Sequence, residues 1–194
     1  TLEKVLAEEE WDYVSVQQVS SLSGQPDSYV LLPELVDFVR ARVPEDAVIM
    51  FHQTWAYAPN STHDQFYRYD KDQMKMYDAI VATAKQEAPK VGIELIIPAG
   101  TAIQNARTSY LGNDLTRDGY HLSRPHGRYI AACTWLESVL GVNPVGNMVH
   151  LIPPDGINGS SCVQIIEDVA VSAGDNGGIV GGLGTAFDLD AVHT

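Results

Sequence analysis

The sequence predicts an α/β fold built on a mostly parallel sheet, and three observations lead there. Short apolar runs at 11–17, 47–51 and 91–97 alternate with longer segments whose apolar residues recur every three or four positions. The run Ala47-Val48-Ile49-Met50-Phe51 is apolar throughout, as a strand covered on both faces is. Polar residues gather after the apolar runs: Gln17 and Gln18, then His52 and Gln53, then the loop that leads to Asp118. Open α/β sheets bind ligands at the carboxyl ends of their strands.

Residues 1–10 read as a short helix. In 11–17, Tyr13, Ser15 and Gln17 alternate with Val14 and Val16, the period of a strand. Residues 20–28 form a polar loop broken by Ser23-Gly24 and Gln25-Pro26. A helix is expected over 33–42, with Pro33 tolerated in its first turn and Leu32, Leu35, Val36 and Val39 on its apolar face. The strand at 47–51 follows, then a loop over 54–64 carrying Trp55, Tyr57 and Asn60. Met74, Tyr77, Val81 and Ala84 predict a long helix over 70–88, stopped by Pro89. The third strand, 91–97, closes at Pro98 and Gly100; a helical segment over 101–109 comes next. The last clear helix, 127–140, ends at Gly141, the residue that commonly closes a helix in the left-handed conformation. Beyond it the pattern weakens into turn-rich and glycine-rich sequence. The chain therefore divides into a domain at 1–145 and a C-terminal extension at 146–194. The glycine-rich run at 177–184 lacks the first-strand position and downstream acid of a dinucleotide site, and no Gly-Lys-Ser/Thr follows it.

Composition narrows the function classes. The 194 residues carry 12 basic and 25 acidic side chains, a net charge of −13. So negative a surface repels phosphate backbones and anionic bilayers, which argues against nucleic acid or a membrane surface as partner. No apolar run approaches the roughly 20 residues of a membrane span. Cys133, on a helical pattern with Tyr129, Leu136 and Leu140, reads as a buried thiol; a bridge to Cys162 is the alternative in an exported protein. No location is fixed, a periplasmic or secreted one being preferred.

The chemistry concentrates in Arg117-Asp118-Gly119-Tyr120-His121. A carboxylate three residues ahead of an imidazole can hold its Nδ1–H and leave Nε2 free to take a proton. The structural alternative is a turn aspartate capping the helix that follows. Gln18 is a candidate oxyanion donor, its alternative being a cap on the next loop. Gln53, Trp55 and Tyr57 would wall a polar ring such as a sugar, or plug the top of the sheet. His52 stands at a strand end, lining a pocket or satisfied within the fold. A metal site from His52, Asp118, His121 and His126 matches no compact ligand spacing. Neither a metal nor another cofactor is expected.

Taken together, these segments resemble the SGNH/GDSL hydrolase superfamily, and most closely a bacterial branch known only as a domain of unknown function. The segment 11–18 resembles the strand leading into the superfamily's Gly-x-Asn-Asp block, with Val19-Ser20-Ser21 in place of the Gly and Asn and Gln18 as substitute donor. Residues 51–57 resemble the next strand end, and Asp118-Gly119-Tyr120-His121 resembles the Asp-x-x-His block. The resemblance implies a three-layer α/β/α sandwich of flavodoxin-like type, missing its first strand. It also implies a serine esterase or acetylesterase acting on acyl esters, among them esters of carbohydrates. Asp118 and His121 would complete a triad whose serine belongs to a block ahead of Thr1 or to a second chain. A non-catalytic carbohydrate-binding relative, or a partner-dependent one, is the rival. The Gly184-Thr185-Ala186-Phe187 stretch only weakly echoes the superfamily's nucleophile turn.

Overall fold

The expected strands pair into one sheet. The structure, a computed structural model, describes residues 1–145. Its helices are α1 (Leu2–Leu6), α2 (Leu32–Arg40), α3 (Gln73–Lys90), α4 (Ala99–Ala106) and α5 (Gly127–Leu140). Its strands are β1 (Tyr13–Val16), β2 (Val48–His52) and β3 (Leu95–Ile97), with 3-10 turns at Pro26–Tyr29 and Asp64–Tyr69. The strands run parallel in the order β1-β2-β3, with Val16 beside Phe51 and His52 beside Ile97. The fold is thus a mixed α/β arrangement around a small, open, parallel three-stranded sheet.

Alternation along β2 assigns its two faces. Ile49 and Phe51 join Val16 of β1 and Ile96 of β3 in one apolar cluster with Val36 and Val39 of α2 and Val81, Ala84 and Ala88 of α3. Each large side chain buried there contributes roughly 1.5–3 kcal/mol. Met50 and His52 alternate to the other side, where Trp135 of α5 meets His52. A second cluster joins Ala102, Ile103 and Ala106 of α4 to Ile130 of α5 and to three loop leucines, Leu111, Leu115 and Leu122. A third, with Tyr57, Phe66, Tyr69, Met76 and Ile80, lies under the segment leaving β2.

Several element ends differ from expectation, each for a local reason. The long helix begins at Gln73, because Asp70 and Lys71 take left-handed backbone and Asp72 caps the first turn by accepting from the Lys75 N–H. It also runs through Pro89 to Lys90. In a closing turn the missing proline N–H forfeits a single bond, which a helix end tolerates better than a helix interior does. The third strand is only three residues long, since Gly92 turns the chain first. The helix after it starts at Ala99, earlier than expected, because Gln53 captures its free N–H groups. Gly141 closes α5 with φ 62°.

Cys133 is buried on α5. Its proposed partner Cys162, the glycine-rich run, the 184–187 echo and the whole 146–194 extension lie outside the described residues. Among the described residues, no helix is long and apolar enough to cross a membrane.

Candidate functional site

The Asp118–His121 loop is shaped by apolar anchors on either side of it. Leu115 and Leu122 are buried against α4 and α5 and bring the chain back on itself. The turn between them is closed by Thr116 bridging antiparallel to Leu122, by Arg117 N–H donating to His121 O (2.9 Å) and by Ser123 N–H donating to Leu115 O (2.8 Å). Gly119 sits at the tip with φ +88°, and a Cβ there would come within 2.8 Å of Ser61 Cα. Only glycine meets both demands without strain. Two further bonds dock this turn on the segment leaving β2. Ala58 N–H donates to Gly119 O (2.8 Å), and Trp55 Nε1–H donates to Tyr120 O (2.7 Å).

Within the turn, Asp118 Oδ2 lies 2.6 Å from His121 Nδ1. Its other oxygen accepts the backbone N–H of His121 (2.7 Å) and of Tyr120 (3.2 Å). Partial desolvation acts to raise the Asp118 carboxyl. The hydrogen bonds from the His121 ring and from these two N–H groups outweigh it and hold the carboxyl down at about 2. The carboxylate is therefore ionised and orients the imidazole with Nδ1–H toward itself, leaving Nε2 as the basic nitrogen. The His121 side chain is 52% exposed. Asp118 does not cap α5; Ser123 Oγ accepts from Gly127 N–H there. Arg117 Nε stands 3.7 Å from Asp118 Oδ2 at the surface.

The remaining candidates fall elsewhere. Gln18 Nε2 donates to Ser28 O and Oγ, and its Oε1 accepts from Val19 N–H, so the amide is committed to its own loop. Gln53 is fully buried; its Oε1 accepts from the Thr101 N–H and hydroxyl, and its backbone oxygen from Gly100 N–H. Trp55 is half-buried with its indole N–H on Tyr120. Tyr57 has no exposed surface, which leaves no free ring face for a sugar, and its hydroxyl pairs with Ser20 Oγ at 2.9 Å. His52 is buried, and its Nδ1 accepts from Trp135 Nε1–H (3.0 Å). Burial pushes this imidazole down to about 4. His126 is half-buried at the start of α5, and desolvation lowers it too. Among the described residues, no group of three or more His, Cys, Asp or Glu is placed to hold a metal ion.

Sequence reasoning passed over the residues that surround the pair. The Tyr120 ring centre lies 4.3 Å from that of His121 and 4.8 Å, edge to face, from that of His63. His63 also packs 4.8 Å from Tyr57. A polar cleft of about 460 Å³ adjoins Asp118, between the 59–62 segment and the 113–119 loop. A larger, mostly apolar groove of about 860 Å³ lies between α1, the 3-10 turn and α2, with Gln17 and Gln18 at its edge and neither Asp118 nor His121 among its walls.

The sequence model of the DUF4886 family, a domain of unknown function, matches residues 1–172. The chain belongs to the DUF4886 family. A crystal structure of a DUF4886 family protein from Bacteroides uniformis is similar over 89% of this chain, with 51% identity and a TM-score of 0.82. The chain covers 66% of that protein's length. None of the curated proteins matches the chain. These findings correct the resemblance to the SGNH/GDSL superfamily, since family and structural neighbour alike are DUF4886 and neither is linked to that superfamily. The resemblance rested on short local patterns. An aspartate three residues before a histidine reflects a turn any chain can form.

Proposed function

We propose that this DUF4886 chain carries the general-base half of an acyl-ester hydrolase, with His121 as the base and Asp118 as its orienting acid. The observation that carries the reading is the 2.6 Å Asp118–His121 contact on a half-exposed imidazole. In this mechanism a serine hydroxyl attacks the ester carbonyl, and its proton passes to His121 Nε2. The imidazolium that forms is stabilised by the Asp118 carboxylate. Collapse of the tetrahedral species breaks the bond to the leaving alcohol, and His121 returns the proton to it. Water then repeats the sequence on the acyl-enzyme. We take the sheet to be the middle layer of a three-layer α/β/α sandwich; α2 and α3 against Ile49 and Phe51, and α5 against His52, support that arrangement.

The test is hydrolysis of p-nitrophenyl acetate by the intact protein. His121→Ala is expected to lower kcat/KM by roughly 10²–10⁴ while leaving the thermal midpoint unchanged, because the ring is exposed. Labelling by a fluorophosphonate and mapping of the labelled residue identifies the serine. Because the Asp118 carboxyl is held down at about 2, activity is not expected to be lost through protonation of Asp118 as the pH falls toward that value. Turnover that survives His121→Ala removes the assignment.

One observation favours a binding protein instead: among the described residues, no serine or threonine hydroxyl is hydrogen-bonded to His121. Glycan binding without any ester turnover in the intact protein would establish that rival.

A further inference from the structure

We propose that His63 is a second catalytic residue of this site, donating its Nε2–H to the carbonyl oxygen of the ester that His121 acts on. The inference rests on the acyl-ester reading above. His63 opens the 3-10 turn at Asp64–Tyr69, and its Nδ1 accepts the Gln65 backbone N–H at 3.1 Å. With Nδ1 acting as acceptor, the proton of the neutral ring resides on Nε2. That N–H has no hydrogen-bond acceptor among the described residues, and it is not one of the buried unsatisfied atoms, so solvent or a ligand reaches it. The ring itself packs against both Tyr57 and Tyr120, each 4.8 Å away. Its backbone N–H donates to Ser61 Oγ, and Ser61 is the residue against which Gly119 packs. The loop carrying His63 and the loop carrying Asp118 are therefore interlocked.

Tyr120 thus packs against two imidazoles of opposite polarity, whose ring centres it brings within about 9 Å of one another. His121, donating Nδ1–H to Asp118, offers a lone pair; His63, accepting at Nδ1, offers a proton. Acyl transfer needs one of each. As the nucleophile's oxygen bonds to the carbonyl carbon, its proton goes to His121 and the carbonyl electron pair moves onto oxygen. That oxyanion takes the His63 N–H bond. When the pair returns, the bond to the leaving alcohol breaks and His121 protonates it. A donor held in place before reaction stabilises the developing charge without reorganising. Gln18, the sequence's candidate for this role, has its amide committed to Ser28.

The experiment compares wild type, His63→Asn and His121→Ala in the intact protein, with p-nitrophenyl acetate as substrate. Asparagine keeps a side-chain acceptor for the Gln65 N–H, so the turn stays capped; it removes the ring N–H. His63→Asn is expected to lower kcat by roughly 10²–10³, with KM within about threefold and the thermal midpoint unchanged. Affinity for a phosphonate transition-state analogue should fall by a similar factor, whereas acetate binding should not. A merely structural role would move the midpoint and spare this split. If turnover depends on His121 but His63→Asn retains kcat within about threefold, the His63 assignment is overturned and the hydrolase reading stands. If wild type shows no His121-dependent turnover, both fall.

Discussion

His52 and His121 belong to two regions that Trp55 joins, and the fold treats them oppositely. His52 ends β2, is buried, and has its Nδ1 taken by the indole N–H of Trp135. His121 sits half-exposed on a turn, with Nδ1 against a carboxylate. Trp55 touches both regions: its ring meets His52 edge-on at 6.3 Å, and its N–H holds Tyr120 O. A buried ring facing a donor must stay neutral and cannot gain a proton cheaply. The His121 ring meets no such burial and faces a carboxylate instead of a donor. Burial and the sign of the partner, not the residue type, separate the sealed histidine from the open one.

The comparison is sharpened most by Gly100, which belongs to the buried side. A Cβ there would overlap the Thr54 carbonyl oxygen, which is backbone and cannot step aside. Gly100→Ala is expected to cost about 4 kcal/mol of stability in urea unfolding. A variant as stable as wild type would show that the β2 tip yields, contrary to its close packing.

A somewhat smaller effect is expected from acid. His52 is held near 4 when folded and returns to about 6.5 when unfolded. Between those values the unfolded chain binds the extra proton, so stability falls as pH is lowered from about 6.5 through 4. The contribution lost is on the order of 3 kcal/mol. Stability profiles of wild type and His52→Gln should diverge over that window; parallel profiles would mean that His52 is not buried as a neutral ring.

The smallest change concerns Gln53. Gln53→Leu deprives the Thr101 N–H and hydroxyl of their acceptor at the start of α4. The same change removes a buried Nε2 that has no partner, which offsets part of the loss. The expected cost is about 1–2 kcal/mol by thermal unfolding, with the Asp118–His121 pair untouched. Ester turnover that collapses while stability holds would place Gln53 in the chemistry after all.

Legibility in the sequence followed the range of the interaction. The alternation of strand and helix was readable because each element buries one patterned face, and the uniformly apolar 47–51 run announced the central strand of the three. The start of α3 was not readable, since the left-handed turn at Asp70 and Lys71 carries no glycine. The Asp118–His121 pair was legible because three residues of a turn build it. For the amides of Gln18 and Gln53 the sequence offered a site role and a structural one side by side, and Ser28 and Thr101, ten and 48 residues away, decide between them. His63 lay inside the loop expected over 54–64, where no local spacing set it apart.

By itself, then, the sequence determined the parallel α/β character, the apolar faces and the spacing of one acid with one imidazole, all of which local period and local reach dictate. Only the tertiary structure decided which imidazole is sealed and which is open. It also decided which amide is committed to backbone, and that His63 and His121 share a tyrosine. Burial and long-range hydrogen bonds set those outcomes, and they exist only once distant segments have packed.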